Sequence, residues 1–245
     1  DAGFLLVSEY LTWLANIVPV SKQDGRIRVC IDFRDLNRAS PKDDFPLPHI
    51  DELVNFTAGH ALLSIMDGFS GYNQIVLAPE DREKTAFTPL WGTYCYRVMS
   101  FGLKTAGATY QRAATTVLHD MIHKEVEVYV DDMIVKSKER DGHYTALQKF
   151  FQRIREFRLR LNPQKCTFGV TAGKMLGFLI TQRGIEGDPS KIKAILEIPP
   201  PRTEKEVRGF LCKVQFITRF MSNLTLTCEP LFGLLKKGKK FRWDD

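Results

Sequence analysis

Tyr129-Val130-Asp131-Asp132-Met133, set inside the run from Glu127 to Val135, decides how this chain is read. Two adjacent carboxylates stand at the centre of an apolar, β-branched segment. Val126, Val128 and Val130 lie on one side of them; Met133, Ile134 and Val135 lie on the other. An uninterrupted buried strand would not carry an Asp pair there, because unpaired buried charge is expensive. A β-hairpin with the Asp pair as its two-residue tip resolves the conflict. Both carboxylates would then face one space, where a divalent ion offsets their repulsion. Such a pair can hold Mg²⁺ against a triphosphate.

Working outward, Ala61 to Met66 reads as a short buried strand that ends at Asp67, with Gly68 behind it and Tyr72 five residues on. Alone, an Asp at a strand end is a turn residue or a helix cap. Beside an Asp-Asp hairpin it supplies the third carboxylate, from a second strand, that two-metal phosphoryl transfer needs.

Arg26 to Phe33 alternates like a half-buried strand, and Pro41 to Pro48 is an extended connection. After a turn at Ser70-Gly71, residues Asn73 to Leu77 resume strand character. Thr85 to Thr88 and Thr93 to Val98 make a hairpin around Pro89 to Gly92. The Ala-rich stretch Thr105 to Ile122 has helical periodicity. Residues 143 to 161 form an amphipathic helix, and Lys174 to Ile180 a strand. The composition then changes. Asp188-Pro189 starts a helix as N-cap and first helical Pro, and Thr203 with Glu206 forms a capping box. The first three-quarters is therefore mixed α+β, the last quarter helical, with a boundary near Gly184.

The 245 residues are 44% hydrophobic and 26% charged, an ordinary globular balance. The net charge of +6 fits surplus surface Lys or a polyanion partner such as nucleic acid equally well. Five scattered cysteines (Cys30, Cys95, Cys166, Cys212, Cys228) lack CxxC spacing, which indicates neither a zinc site nor a disulfide framework and fits a reducing compartment. No apolar run reaches transmembrane length and no signal peptide is present. A start at Asp1 and an end at Arg242-Trp243-Asp244-Asp245 suggest a segment cut from a longer polypeptide. Gly169 to Lys174 has the wrong spacing for a P-loop, with Met175 in place of Ser or Thr. His49, His60, His119, His123 and His143 form no HExxH pattern; His119 and His123 read as helix surface residues.

An ordered series of motifs carries a resemblance. The pieces are Asn16-Ile17-Val18-Pro19-Val20, Arg28-Val29-Cys30-Ile31-Asp32-Phe33-Arg34-Asp35-Leu36-Asn37, Phe45-Pro46-Leu47-Pro48, Met66 to Ile75, Lys84-Thr85-Ala86-Phe87, Phe101-Gly102-Leu103-Lys104, Tyr129-Val130-Asp131-Asp132, Leu161-Asn162-Pro163 and Leu176-Gly177-Phe178. Each is weak alone; in this order they are specific. The chain resembles the reverse transcriptases of gypsy-type LTR retrotransposons, most closely plant ones, over nearly its whole length.

The resemblance implies an α+β right-hand polymerase fold of fingers, palm and helical thumb. Fingers are expected at 1–45 and 78–104, palm at 46–77 and 105–184, thumb at 185–235, and at 236–245 a linker, with Phe241 and Trp243, toward an absent RNase H domain. It implies an RNA-directed DNA polymerase that adds deoxynucleotides to a primer 3′-hydroxyl. Asp67, Asp131 and Asp132 would be catalytic ligands of two Mg²⁺ ions, with Mn²⁺ able to substitute. Lys22, Arg28, Gly68, Phe69, Tyr72 and Phe101 would bind the nucleotide. Arg forks onto phosphate oxygens while Lys acts as a point charge, and Tyr72 would screen the sugar 2′ position. Leu176, Gly177 and Phe178 would position the primer.

Implied partners are an RNA or DNA template with primer, deoxynucleoside triphosphates, and RNase H and integrase domains of a parent polyprotein, with no membrane. The implied place is a cytoplasmic virus-like particle with nuclear delivery of the product. One departure stands out: Ser100 replaces the Pro that usually precedes Phe-Gly-Leu-Lys. A rival expectation is a degenerate or domesticated fragment that binds nucleic acid without catalysis. The retained Asp triplet and Arg28 argue against it.

Overall fold

The computed structural model describes residues 3–9, 13–21 and 25–235. Lys22 and the 236–245 segment, with Phe241 and Trp243, lie outside the described residues. The chain divides into two compact units, residues 1–173 with 181–183, and residues 174–180 with 184–245.

The larger unit is built on a four-stranded antiparallel sheet. Its order is Val126–Tyr129, Asp132–Ser137, Leu62–Asp67, Thr167–Val170. The pleat sorts the side chains. Val126 pairs with Val135 and Val128 with Met133, while Met66 pairs with Met133. This face is sealed by Tyr110, Ala114 and Leu118 of the helix Ala106–Leu118, and by Phe150 and Ile154 of the helix Arg140–Glu156. Residues one step away in register point to the other face: Glu127 with its pair Ile134, Lys136 with Leu63, and Asp132 with Asp67. There Lys136 reaches the carbonyl of Phe56 in the helix Ile50–Thr57. The same sheet face thus carries charge at both ends.

A second antiparallel pair, Ile17–Ser21 with Ile27–Ile31, puts Arg28 opposite Val20. Phe87 and Tyr94 exchange backbone hydrogen bonds, so the expected hairpin around Pro89 to Gly92 is reduced to a single bridge; Glu83–Thr85 is a 3₁₀ turn and the strand Tyr94–Tyr96 pairs with Leu5–Val7.

Four local expectations are corrected. Asn73 to Leu77 is no strand. Gly71–Gln74 is a 3₁₀ turn entered through Ser70 at φ +49°, and Val76 alone bridges to Val98. The cause is the Gln74 amide, which bonds the Phe69 and Arg160 carbonyls and accepts from the Arg160 N–H. The long amphipathic helix runs Arg140–Glu156 rather than 143–161, because Arg158 turns left-handed and Leu161 leaves to pair with Gly68. The segment 174–180 is two strands, Ala172–Met175 and Phe178–Thr181, reversed at Leu176-Gly177, both at positive φ. His123 lies outside the preceding helix at φ +64° and contacts Glu127.

In the smaller unit the helix caps follow the sequence rules. Asp188 accepts from the Ser190 N–H at 3.0 Å, with Pro189 as the first helical residue. Thr203 accepts from the Glu206 N–H at 3.3 Å, and Glu206 accepts from the Arg202 N–H at 2.7 Å, one residue before the box position. The helix Glu204–Val214 behind them buries Val207 and Val214, and Phe178 stacks on Phe216 with centroids 5.3 Å apart.

Candidate active site

The hairpin turn differs from expectation by one residue. Tyr129 pairs with Asp132, so the two-residue turn is Val130-Asp131, and Asp132 opens the next strand. Val130 takes φ +51°, an unfavourable conformation for a β-branched residue. Gln111, buried in the helix Ala106–Leu118, pins it there. Its Oε1 accepts from the Val130 N–H at 2.7 Å and its Nε2 donates to the Val128 carbonyl at 3.2 Å.

Three carboxylates meet at this end of the sheet. Asp67 pairs with Asp132 across adjacent strands, and the Gly68 N–H donates to the Asp131 carbonyl at 3.1 Å. A Cβ at Gly71 would overlap Asp131 Oδ1, and one at Gly68 would lie 3.0 Å from the Tyr110 hydroxyl. Gly71 is therefore needed to admit the Asp131 side chain, while Gly68 makes room for the Tyr110 hydroxyl. Asp131 Oδ1 is buried with no hydrogen-bond partner among the described residues. Burial, then the charges of Asp67 and Asp132, pushes the Asp131 carboxyl up to about 6. Burial and Asp67 likewise raise Asp132. Burial, followed by Asp131, raises the hydroxyls of Tyr72 and Tyr110.

Among the described residues, a lysine answers this charge. Lys165 donates to Asp67 Oδ2 at 2.5 Å, and that hydrogen bond, with the three nearby carboxylates, raises its ammonium above the usual range. Hard oxygen donors, excess negative charge and an unpartnered buried oxygen suit a divalent cation such as Mg²⁺. In the present arrangement, however, no three His, Cys, Asp or Glu side chains among the described residues are gathered to hold an ion.

The expected nucleotide residues assemble partly around this cluster. The Tyr72 ring lies 4.8 Å from Phe101 and 5.8 Å from Tyr110, between centroids. Phe101 and Arg28 line one cleft of about 330 Å³ with Asn73 and Tyr96. Phe69 is exposed, its N–H held by the Arg160 carbonyl. Ser100 is buried, and its loop is fastened by Asn37, which donates to the Gly102 carbonyl and accepts from the Lys104 N–H, each at 2.7 Å. Leu176, Gly177 and Phe178 belong to the smaller unit, as the turn and first residue of the next strand.

Gln111 and Lys165 were not singled out by sequence. Gln111 carried a signal: it occupies the apolar face set by Ala114 and Leu118. Lys165 carried none, standing in a stretch rich in exposed Arg and Lys.

A carboxylate-tipped palm hairpin beside a second Asp-bearing strand defines a right-hand polymerase. The foamy viral protease–reverse transcriptase solved with double-stranded DNA has this fold: TM-score 0.91, 24% identity, 99% of this chain and 43% of that one. A structure of the foamy viral protein with an RNA/DNA hybrid gives TM-score 0.85 at 23% identity, over 99% of this chain and 33% of that chain. Residues 20–180 match the family of reverse transcriptases (RNA-dependent DNA polymerases), and the chain belongs to that family.

Similar proteins include the retrovirus-related Pol polyproteins of two Drosophila melanogaster transposons. That of transposon 297 is 33% identical over 94% of this chain and 22% of the relative; that of gypsy is 34% identical over 85% and 20%. The Tf2-3 polyprotein of Schizosaccharomyces pombe is 30% identical over 91% of this chain and 17% of its own length. The resemblance to gypsy-type retrotransposon reverse transcriptases is thus borne out. The chain spans about a fifth of the length of these relatives.

Proposed function

We propose that this domain copies an RNA or DNA template by adding deoxynucleotides to a primer 3′-hydroxyl, within a longer retrotransposon polyprotein. The observation that carries the reading is the register that sets Asp67 beside Asp132, with Asp131 in the adjoining turn and one of its buried oxygens without a hydrogen-bond partner among the described residues. These three side chains would hold two Mg²⁺ ions, which when bound lower the pKa of the attacking hydroxyl and neutralise the leaving pyrophosphate.

The chain's own residues do the positioning. Gln111 fixes the tip that carries Asp131. Arg28, on a cleft wall shared with Phe101, would fork onto the triphosphate. The Tyr72 ring, backed by Phe101 and Tyr110, would form a flat wall against a ribose 2′-hydroxyl. Lys22 would add a cation to the triphosphate site, and Leu176, Gly177 and Phe178 would guide the primer. Asn37 restrains the loop that Ser100 leaves without its usual Pro.

RNase H and integrase activities would come from other parts of the polyprotein, acting in cytoplasmic particles before nuclear delivery of the DNA. The test is primer extension on an RNA template with Mg²⁺, comparing the wild type with Asp131→Asn. Extension should be template-dependent and fall by several orders of magnitude, roughly 4 kcal/mol of barrier or more, in the variant. Tight duplex binding with no extension by the wild type would favour the fragment that binds without catalysis.

A further inference from the structure

The turn from Asn162 to Cys166 is bolted to the end of the Asp67 strand. The Asn162 N–H donates to the Asp67 carbonyl at 2.8 Å, and the Asn162 carbonyl accepts from the Lys165 and Cys166 N–H groups at 3.1 Å each. Asn162 Oδ1 also accepts from the Gln164 N–H at 3.2 Å. This small frame delivers the Lys165 ammonium to Asp67 Oδ2. The Lys165 side chain is nonetheless 66% exposed, while Asp67 is 18% exposed. A mostly solvated ammonium gains little from its ion pair and leaves at little cost.

The cluster meanwhile holds three carboxylates against this cation, and Asp67 is turned toward Lys165 rather than toward a shared centre. We propose that Lys165 is a resident counter-ion of the free site, and that a divalent cation enters by displacing it from Asp67. Cation binding is then an exchange, and Lys165 sets its strength. The inference rests on the assignment of Asp67, Asp131 and Asp132 as the metal site.

The test is a Mn²⁺ titration of the whole chain, counting unbound ion by its paramagnetic resonance signal. The proteins are the wild type, Lys165→Met, Lys165→Arg and Asp131→Asn. Removing the competing charge should tighten Mn²⁺ binding by roughly two- to fivefold, the scale of an exposed ion pair worth up to about 1 kcal/mol. Lys165→Arg should stay near the wild type. Without metal, Lys165→Met should melt below the wild type, and saturating Mn²⁺ should close that gap. Unchanged or weaker Mn²⁺ binding in folded Lys165→Met, with Asp131→Asn clearly weakened, overturns the exchange and leaves the metal site standing. Equal binding by the wild type and Asp131→Asn, or no saturable binding by either, overturns both.

Discussion

The two ends of one hairpin treat charge in opposite ways. At the far end Glu127 and Lys136 are almost completely buried and fully partnered. Lys136 donates to Glu127 Oε1 at 2.7 Å and to the Phe56 carbonyl, and His123 Nδ1 donates to Glu127 Oε2 at 3.0 Å. At the near end Asp67, Asp131 and Asp132 sit half-buried, with the solvated Lys165 on Asp67 and a buried Asp131 oxygen that has no hydrogen-bond partner among the described residues. Both ends belong to the hairpin strands Val126–Tyr129 and Asp132–Ser137, and Asp67 joins the near end from the neighbouring strand Leu62–Asp67. Buried charge that only stabilises a fold is balanced within the protein. Charge left unbalanced, at the cost of mutual repulsion, marks a place where a ligand supplies the missing partner.

Breaking the balanced end gives the largest effect on stability. Lys136→Met should lower it by about 3–5 kcal/mol, because Glu127 is left buried without its lysine and keeps only the His123 contact. Chemical denaturation reads this directly, and a loss below about 1 kcal/mol would mean that water reaches Glu127. Releasing the unbalanced end from its clamp comes next. Gln111→Met should cost about 1–3 kcal/mol, since the Val130 N–H and Val128 carbonyl lose their partner and the strained φ of Val130 loses its support. If the variant keeps wild-type stability and extension rate, the clamp is redundant.

A smaller effect lies on the helix-covered face of the same sheet. His143 is buried with Ser64 Oγ 2.7 Å from Nε2 and Ser137 Oγ 2.8 Å from Nδ1. Burial holds its pKa below the ordinary 6.5, so the unfolded chain takes up the proton first. Its contribution is complete above about pH 6.5 and shrinks as pH falls below it. The melting-temperature difference between the wild type and His143→Gln, followed from pH 8 to 5, should narrow on the acid side. A difference independent of pH would mean that His143 is not held neutral.

How much of this was legible follows the same contrast. Asp131 and Asp132 were visible because charge inside a Val- and Ile-rich run violates the strand pattern, and the structure places Asp131 in the hairpin turn and Asp132 at the start of the next strand. The turn register was not visible. A β-branched residue at positive φ is what local rules disfavour, so the Asp pair read as the tip. Only the tertiary hydrogen bonds from Gln111 make Val130 acceptable there. Asn73 to Leu77 failed for a similar reason, because the Gln74 side chain outcompetes strand pairing. The cap at Asp188 is local and carried through unchanged, while at Thr203 the N-cap bond formed and Glu206 reached one residue further, to the Arg202 N–H.

The contrast between the two ends is tested most directly by thermal melting with and without Mn²⁺. Without metal, Asp131→Asn should melt at or above the wild type, because repulsion within the cluster falls. On adding Mn²⁺ the wild type should gain stability in proportion to its occupancy, and Asp131→Asn should gain far less. An equal response of both proteins to Mn²⁺, or a metal-free Asp131→Asn markedly less stable than the wild type, would contradict the account.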